Sequence, residues 1–136
     1  MAVIAGLAAP FFLQRQAPLF AWAIGLGAAA LGLWALSANR PGNFNIRPLP
    51  KAGGRLVQAG PYRWIRHPMY TSILLAALAG LYGVDLPHRP AVGTAFFALA
   101  AVLWFKAGIE ERWMAAQHPA YADYVRTTRR FVPWLL

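Results

Sequence analysis

"APLFAWAIGLGAAALGLWALSA", Ala17 to Ala38, runs for 22 residues without a charge. At 1.5 Å per residue that is enough helix to cross a hydrocarbon core of about 30 Å. The stretch sets the fold class: an apolar segment of this length is expected as a membrane helix, and its neighbours must be read in the same setting. Within it Gly25, Gly27 and Gly32 stand among alanines, the composition that lets helix backbones approach closely in a bilayer. The Gly25-x-Gly27 pair lacks the preceding strand and the remaining glycine of a dinucleotide fingerprint.

The rest of the composition agrees. Of 136 residues, 59% are hydrophobic and 12% charged, about half the charge usual for soluble domains. Thirteen Lys and Arg against four Asp and Glu give a net charge of +9. These charges fall between apolar runs and form no separable basic domain, so anionic lipid is the expected partner and nucleic acid is not. The chain has no cysteine, which removes disulfides, thiolate metal sites and a cysteine nucleophile. Three scattered histidines give no metal-ligand spacing, and Walker, HExxH and GxSxG motifs are absent.

Two further spans are expected at Met69–Leu86 and Ala91–Ile109, the latter interrupted by Lys106 near its end, where a lysine snorkels. A shorter apolar segment, Ala2–Leu13, has no Lys or Arg before it, and is read as a short or tilted first span and not as a signal peptide. The expectation is therefore an all-α polytopic bundle of about four spans (2–13, 17–38, 69–86, 91–109), forming a single domain over residues 1–136. Residues 39–67 form a Pro- and Gly-rich loop, and residues 110–136 a helical tail. The loop carries six Lys or Arg and the tail after Glu111 four, against Arg89 alone in the Asp85–Pro90 turn. The positive-inside rule then places loop, tail and both termini in the cytoplasm, in an inner or plasma membrane. Trp22, Trp34, Tyr82, Trp104 and Trp113 fall near span ends, where aromatic side chains anchor at the interface.

Candidate chemistry collects at the cytoplasmic end of the last two spans. Arg66, His67 and Pro68 open one, and Glu110 and Glu111 close the other, so an antiparallel hairpin brings them together. A helix start offers N–H groups to an anion, and Pro68 suits its first turn. Two carboxylates near a helix end suit an ammonium group, and their unfavourable position against the helix dipole calls for Arg66, Arg112 or a bound cation nearby. A zwitterionic ligand would bridge the two ends. Plainer readings stand beside these: Arg63 as a topology signal, His67 as a helix-start hydrogen-bonding residue, Glu110 as the i,i+4 partner of Lys106.

Two blocks carry a resemblance. "LVQAGPYRWIRHPMYTS" (Leu56–Ser72) and, after one hairpin, "EERWMAAQHPAYADYVRTTRRFVP" (Glu110–Pro133) resemble the isoprenylcysteine carboxyl methyltransferases and their phospholipid methyltransferase relatives. The matching elements are Gly60-Pro61-Tyr62, Arg66-His67-Pro68-Met69-Tyr70, Glu110-Glu111, Tyr121 with Tyr124, and Arg130-Phe131-Val132-Pro133. Ser72 stands where the motif commonly has glycine. The resemblance implies an integral membrane enzyme that uses S-adenosylmethionine to methylate a hydrophobic, lipid-like or prenylated acceptor. It further implies that His67, Pro68 and Tyr70 line the cofactor pocket, that Glu110 and Glu111 hold the cofactor's polar groups, and that Tyr121 and Tyr124 help cover it.

Methyl transfer from a sulfonium is an in-line displacement, so the protein must align the nucleophile and exclude water. A carboxylate acceptor needs no base, and Arg66 or Arg126 would steer it. An amine or hydroxyl acceptor must lose a proton, with Glu110 or His67 as the base. Two other classes are weighed: a membrane reductase using NADPH, since sterol reductases are similar in the C-terminal block but are much longer chains, and a non-enzymatic membrane scaffold. Cofactor binding separates the three.

Overall fold

The computed structural model describes residues 17–39 and 56–135; the expected span at Ala2–Leu13 and most of the basic loop lie outside them. The described residues are helical, with one isolated bridge and no strands. Helix α1 is Leu19–Ala38, α2 Pro68–Gly83, α3 Arg89–Gln117 and α4 Tyr121–Thr127, with 3₁₀ turns at Gly60–Arg63 and Leu86–His88. Two segments, Leu19–Ala38 and Leu86–Gln117, are long and apolar enough to cross a membrane, and Pro68–Gly83 is a shorter apolar helix.

Local sequence explains the boundaries. Pro18 sits in extended backbone just before α1, and Pro68 and Pro90 occupy first-turn positions of α2 and α3, where the missing N–H has no helical partner to lose. Helix α2 stops at Gly83, three residues short of the expected Leu86, because Val84 and Asp85 are extended ahead of Pro87. Helix α3 runs eight residues beyond the expected Ile109. The apolar run ends there, but "EERWMAAQ" consists mostly of good helix formers. The stop comes at His118, extended at φ −125° and ψ 105°, as the residue before Pro119 must be. Glu110 and Glu111 therefore lie inside α3, about two turns from its end, and the dipole penalty expected of them largely disappears.

Helices α1 and α2 pack antiparallel along a seam of small residues. Ala21, Ala28 and Ala35, seven residues apart, are the buried positions of α1, and Gly25 and Gly32 fall between them on the same face. A methyl group added at Gly25 would meet Ala79 Cβ at 3.8 Å, and one at Gly32 would meet Ser72 Oγ at 2.7 Å. Phe20 packs edge-on to Tyr82 at one end of the seam, with ring centroids 5.3 Å apart, and Trp34 packs on Trp64 at the other, at 5.7 Å. Gly27, grouped with the other two in the sequence, meets nothing within 4 Å. Helix α3 returns along α2. Large side chains outside the seam stay exposed, including Leu33 on α1 at 67% and Phe105 on α3 at 71%, as expected of surfaces that face lipid.

Candidate functional site

The antiparallel arrangement puts the start of α2, the last third of α3 and the C-terminal segment at one end of the bundle. Three backbone hydrogen bonds tie the segment in place: Arg129 N–H donates to Trp64 O at 3.0 Å, Arg66 N–H to Arg129 O at 2.7 Å, and His67 N–H to Arg130 O at 3.0 Å. They form the parallel bridge between Ile65 and Arg129. Residues 129–131 thus act as a strap laid beside residues 64–67. Thr71 Oγ1 adds a bond to Phe131 O at 2.7 Å.

Glu111 is the hub. Arg66 Nε donates to its Oε1 at 2.9 Å and Arg130 Nε to the same oxygen at 3.1 Å, while Arg130 Nη2 donates to Oε2 at 2.5 Å. His67 Nε2 stands 3.2 Å from Oε1. The Arg130 guanidinium also lies 4.6 Å above the Trp104 ring, so α3 grips the strap through two side chains seven residues apart on one face. With three partners already placed, Glu111 is a junction between α2, α3 and the strap. Arg112, weighed in the sequence as a partner for the glutamates, is exposed; Arg130 takes that place.

Glu110 differs. Tyr70 Oη donates to it, at 2.7 and 2.8 Å from its two oxygens, and Lys106 Nζ lies 3.7 Å from Oε1 and 5.2 Å above the Tyr70 ring. The plain i,i+4 pair is therefore real, but it is one part of a Tyr70–Glu110–Lys106 group. The Glu110 side chain keeps 26% exposure against 13% for Glu111. The His67 and Tyr70 rings stack, 6° from parallel with centroids 5.2 Å apart, and Phe131 flanks both.

The helix start is less open than its sequence suggests. His67 N–H is bonded to the strap, Tyr70 and Thr71 N–H both donate to His67 O at 3.0 Å, and Pro68 has no N–H. Arg66, expected to steer an anionic acceptor, directs Nε to Glu111 and Nη1 to Thr128 O at 2.6 Å, and its side chain is 10% exposed. Arg126, the other candidate, is an exposed partner of Asp123.

Tyr121 and Tyr124 are both buried, their rings 5.8 Å apart. Tyr124 Oη donates to Tyr62 O at 2.7 Å, which fastens α4 to the Gly60–Arg63 turn. Burial pushes both phenols up, Tyr121 further through the charge of Glu111 and Tyr124 through Tyr121, so each remains a protonated donor. Burial likewise raises Tyr62, against a smaller opposing hydrogen bond from Asn39. Sequence reasoning assigned no role to Arg130 or Thr128 and read Trp104 only as an interfacial anchor. Arg130 lay within the quoted Arg-Phe-x-Pro block, the one signal that pointed toward it.

The acceptor that suits a cation is the partly exposed carboxylate of Glu110, beside the His67, Tyr70 and Phe131 ring cluster; the Trp104 face already holds Arg130, and Lys106 lies over Tyr70. Among the described residues no group of three or more His, Cys, Asp or Glu side chains is placed to hold a metal ion.

The profile of the isoprenylcysteine carboxyl methyltransferase (ICMT) family matches residues 21–118. The cobalt-zinc-cadmium resistance protein CzcN of Cupriavidus metallidurans is 39% identical over 82 residues, covering 59% of this chain and 36% of that protein. The chain thus spans little more than a third of that relative's length. No solved structure matches.

Proposed function

Because the chain belongs to the isoprenylcysteine carboxyl methyltransferase family, we propose that it is an integral membrane enzyme transferring a methyl group from S-adenosylmethionine to a hydrophobic, membrane-borne acceptor, lipid-like or prenylated. The observation that carries this reading is the direct bonding of the two sequence blocks, Arg66–Tyr70 to Glu110–Glu111, 40 to 45 residues apart in the chain. A zwitterionic sulfonium calls for a carboxylate beside aromatic rings, and the grouping of Glu110 with Tyr70 and His67 supports the reading.

The geometry divides the roles. Glu110, the more exposed and less heavily paired glutamate, is assigned to the cofactor's ammonium, with the stacked His67 and Tyr70 rings and Pro68 forming the adjoining wall. Glu111 and Arg66 are assigned to positioning: they hold the strap against the start of α2 and leave the acceptor to other groups. Tyr121 and Tyr124 enclose the site from the α4 side, Tyr124 through its bond to the Gly60–Arg63 turn. S-adenosylmethionine, when bound, supplies the methyl group and a neutral thioether as leaving group. The chain's own contribution is alignment and exclusion of water. A carboxylate acceptor needs no proton transfer, whereas an amine or hydroxyl acceptor would deliver its proton to Glu110 or His67. The orientation that fits is cytoplasmic for this end of the bundle, where the described arginines concentrate.

Calorimetric titration of the detergent-purified protein with S-adenosylhomocysteine tests the reading. Wild type should bind saturably, and Glu110→Gln should weaken binding about tenfold or more, the scale of a lost charge-assisted hydrogen bond. Absence of binding by folded wild type, or preferential binding of NADPH, overturns it in favour of the scaffold or the reductase.

A further inference from the structure

The end of the bundle that carries the site also carries exposed arginine and tryptophan on three separate elements. Arg63 and Trp64 lie at the 3₁₀ turn, Arg112 and Trp113 on the last turns of α3, and Arg129 and Trp134 on the strap and the residues after it; all six are exposed. Trp134 is 85% exposed and Leu135 beside it 75%, an apolar pair left open at this end of the bundle. The Arg63 guanidinium lies 4.7 Å over the Trp64 ring. Arg63, Arg112 and Arg129 have no acidic partner within ion-pair distance among the described residues, because Glu110 and Glu111 are taken internally and Asp123 pairs with Arg126. The opposite end is different in kind: Arg89 stands there near Asp85, which pairs with His88.

We infer that this face is a docking surface for anionic phospholipid headgroups, with Trp64, Trp113 and Trp134 seated at the headgroup level and Arg63, Arg112 and Arg129 pairing with lipid phosphates. Tryptophan favours this depth because its ring is apolar and its N–H still needs a partner. A guanidinium matches a phosphate with two parallel hydrogen bonds. Free positive charge interleaved with exposed indole suits a bilayer surface, where both needs are met within a few ångströms. A nucleic acid would meet the charge and leave the apolar flank at Trp134 and Leu135 in water. The inference is independent of methyl transfer, since it concerns the rim of the site and not its interior.

The test is lipid selectivity of the purified full-length chain in vesicles of phosphatidylcholine containing spin-labelled phosphatidylglycerol or spin-labelled phosphatidylcholine at equal trace amounts. Phosphatidylglycerol should associate severalfold more strongly, and the preference should shrink with added salt. Each of Arg63→Gln, Arg112→Gln and Arg129→Gln should lower this preference, and the three together should abolish it; Arg89→Gln, at the far end, should leave it unchanged. Trp134→Ser should lower quenching of tryptophan emission by headgroup-labelled lipid. Equal association of the two lipids, a preference that survives the triple arginine variant, or tighter binding of a single-stranded oligonucleotide than of the vesicles would each overturn the proposal.

Discussion

Glu110 and Glu111 are adjacent in sequence, yet a helix turns successive side chains about 100° apart, and that rotation gives them different partners. Glu111 takes Arg66 and Arg130 and Glu110 takes Tyr70 and Lys106, while the His67 ring lies between the two, Nε2 3.2 Å from Glu111 and Nδ1 3.7 Å from Glu110. Removing the Glu111 carboxylate strands two largely buried guanidiniums, so Glu111→Ala should destabilise the chain by about 3–5 kcal/mol, the cost of breaking such a pair from one side. Glu110→Gln should change stability by less than about 1 kcal/mol while weakening S-adenosylhomocysteine binding. Denaturant titration of both variants in mixed micelles, beside calorimetry, separates them; equal loss of stability would end the division of roles. The sequence disclosed that both glutamates belong with the Arg66–Tyr70 block, because hairpin topology alone places them there. It did not disclose which one is bonded to the strap, because Arg130 reaches Glu111 through a non-helical segment whose path no periodicity records.

At the level of elements, the α1–α2 seam rests on side chains too small to hold the helices apart. At Gly32 a new methyl group would stand 2.7 Å from Ser72 Oγ but 3.6 Å from Ser72 Cβ, so the conflict lies with the hydroxyl alone. Gly32→Ala should therefore cost about 1 kcal/mol, the price of an off-rotamer Ser72, and Ser72→Ala in the same chain should recover most of it in a double-mutant cycle. If the two substitutions simply add, the register of the seam is wrong. Gly60 is constrained twice, by φ of +58° and by a Cβ position 2.8 Å from Ala38 Cβ. Gly60→Ala should cost about 1–2 kcal/mol from the left-handed backbone alone, more with the clash, and the loss should appear as a lowered unfolding midpoint in micelles. The sequence marked both glycines, one as helix packing and one within the Gly-Pro-Tyr block. Gly27 was indistinguishable from its neighbours there, because which face of α1 is covered depends on where α2 lies. The end of α3 was misplaced for a related reason: hydropathy marks where a helix leaves the hydrocarbon, whereas backbone hydrogen bonding and Pro119 decide where it stops.

Whole-molecule geometry turns on length. Helix α1, with 20 residues, spans about 30 Å, α2, with 16, about 24 Å, and α3, with 29, about 44 Å. A core of about 30 Å is matched by α1, undershot by α2 and exceeded by α3. With the Val84–His88 turn at one face of the bilayer, an α3 that crosses it would bring Glu110 and Glu111, about 32 Å from its start at Arg89, to the opposite face, at the headgroup layer. On the proposed reading, a site there would receive a water-soluble cofactor from one side and a membrane-borne acceptor from the other. This placement requires α3 to cross the bilayer, which can be read directly because the chain has no cysteine of its own. Single cysteines at Leu86, 72% exposed beside the turn, and at Ala116, exposed near the end of α3, should react with a membrane-impermeant maleimide from opposite sides in intact cells. Position 86 should label from outside, and position 116 only after the membrane is opened. Labelling of both from one side would mean that α3 does not cross the bilayer, and the placement of the site by helix length would fall with it.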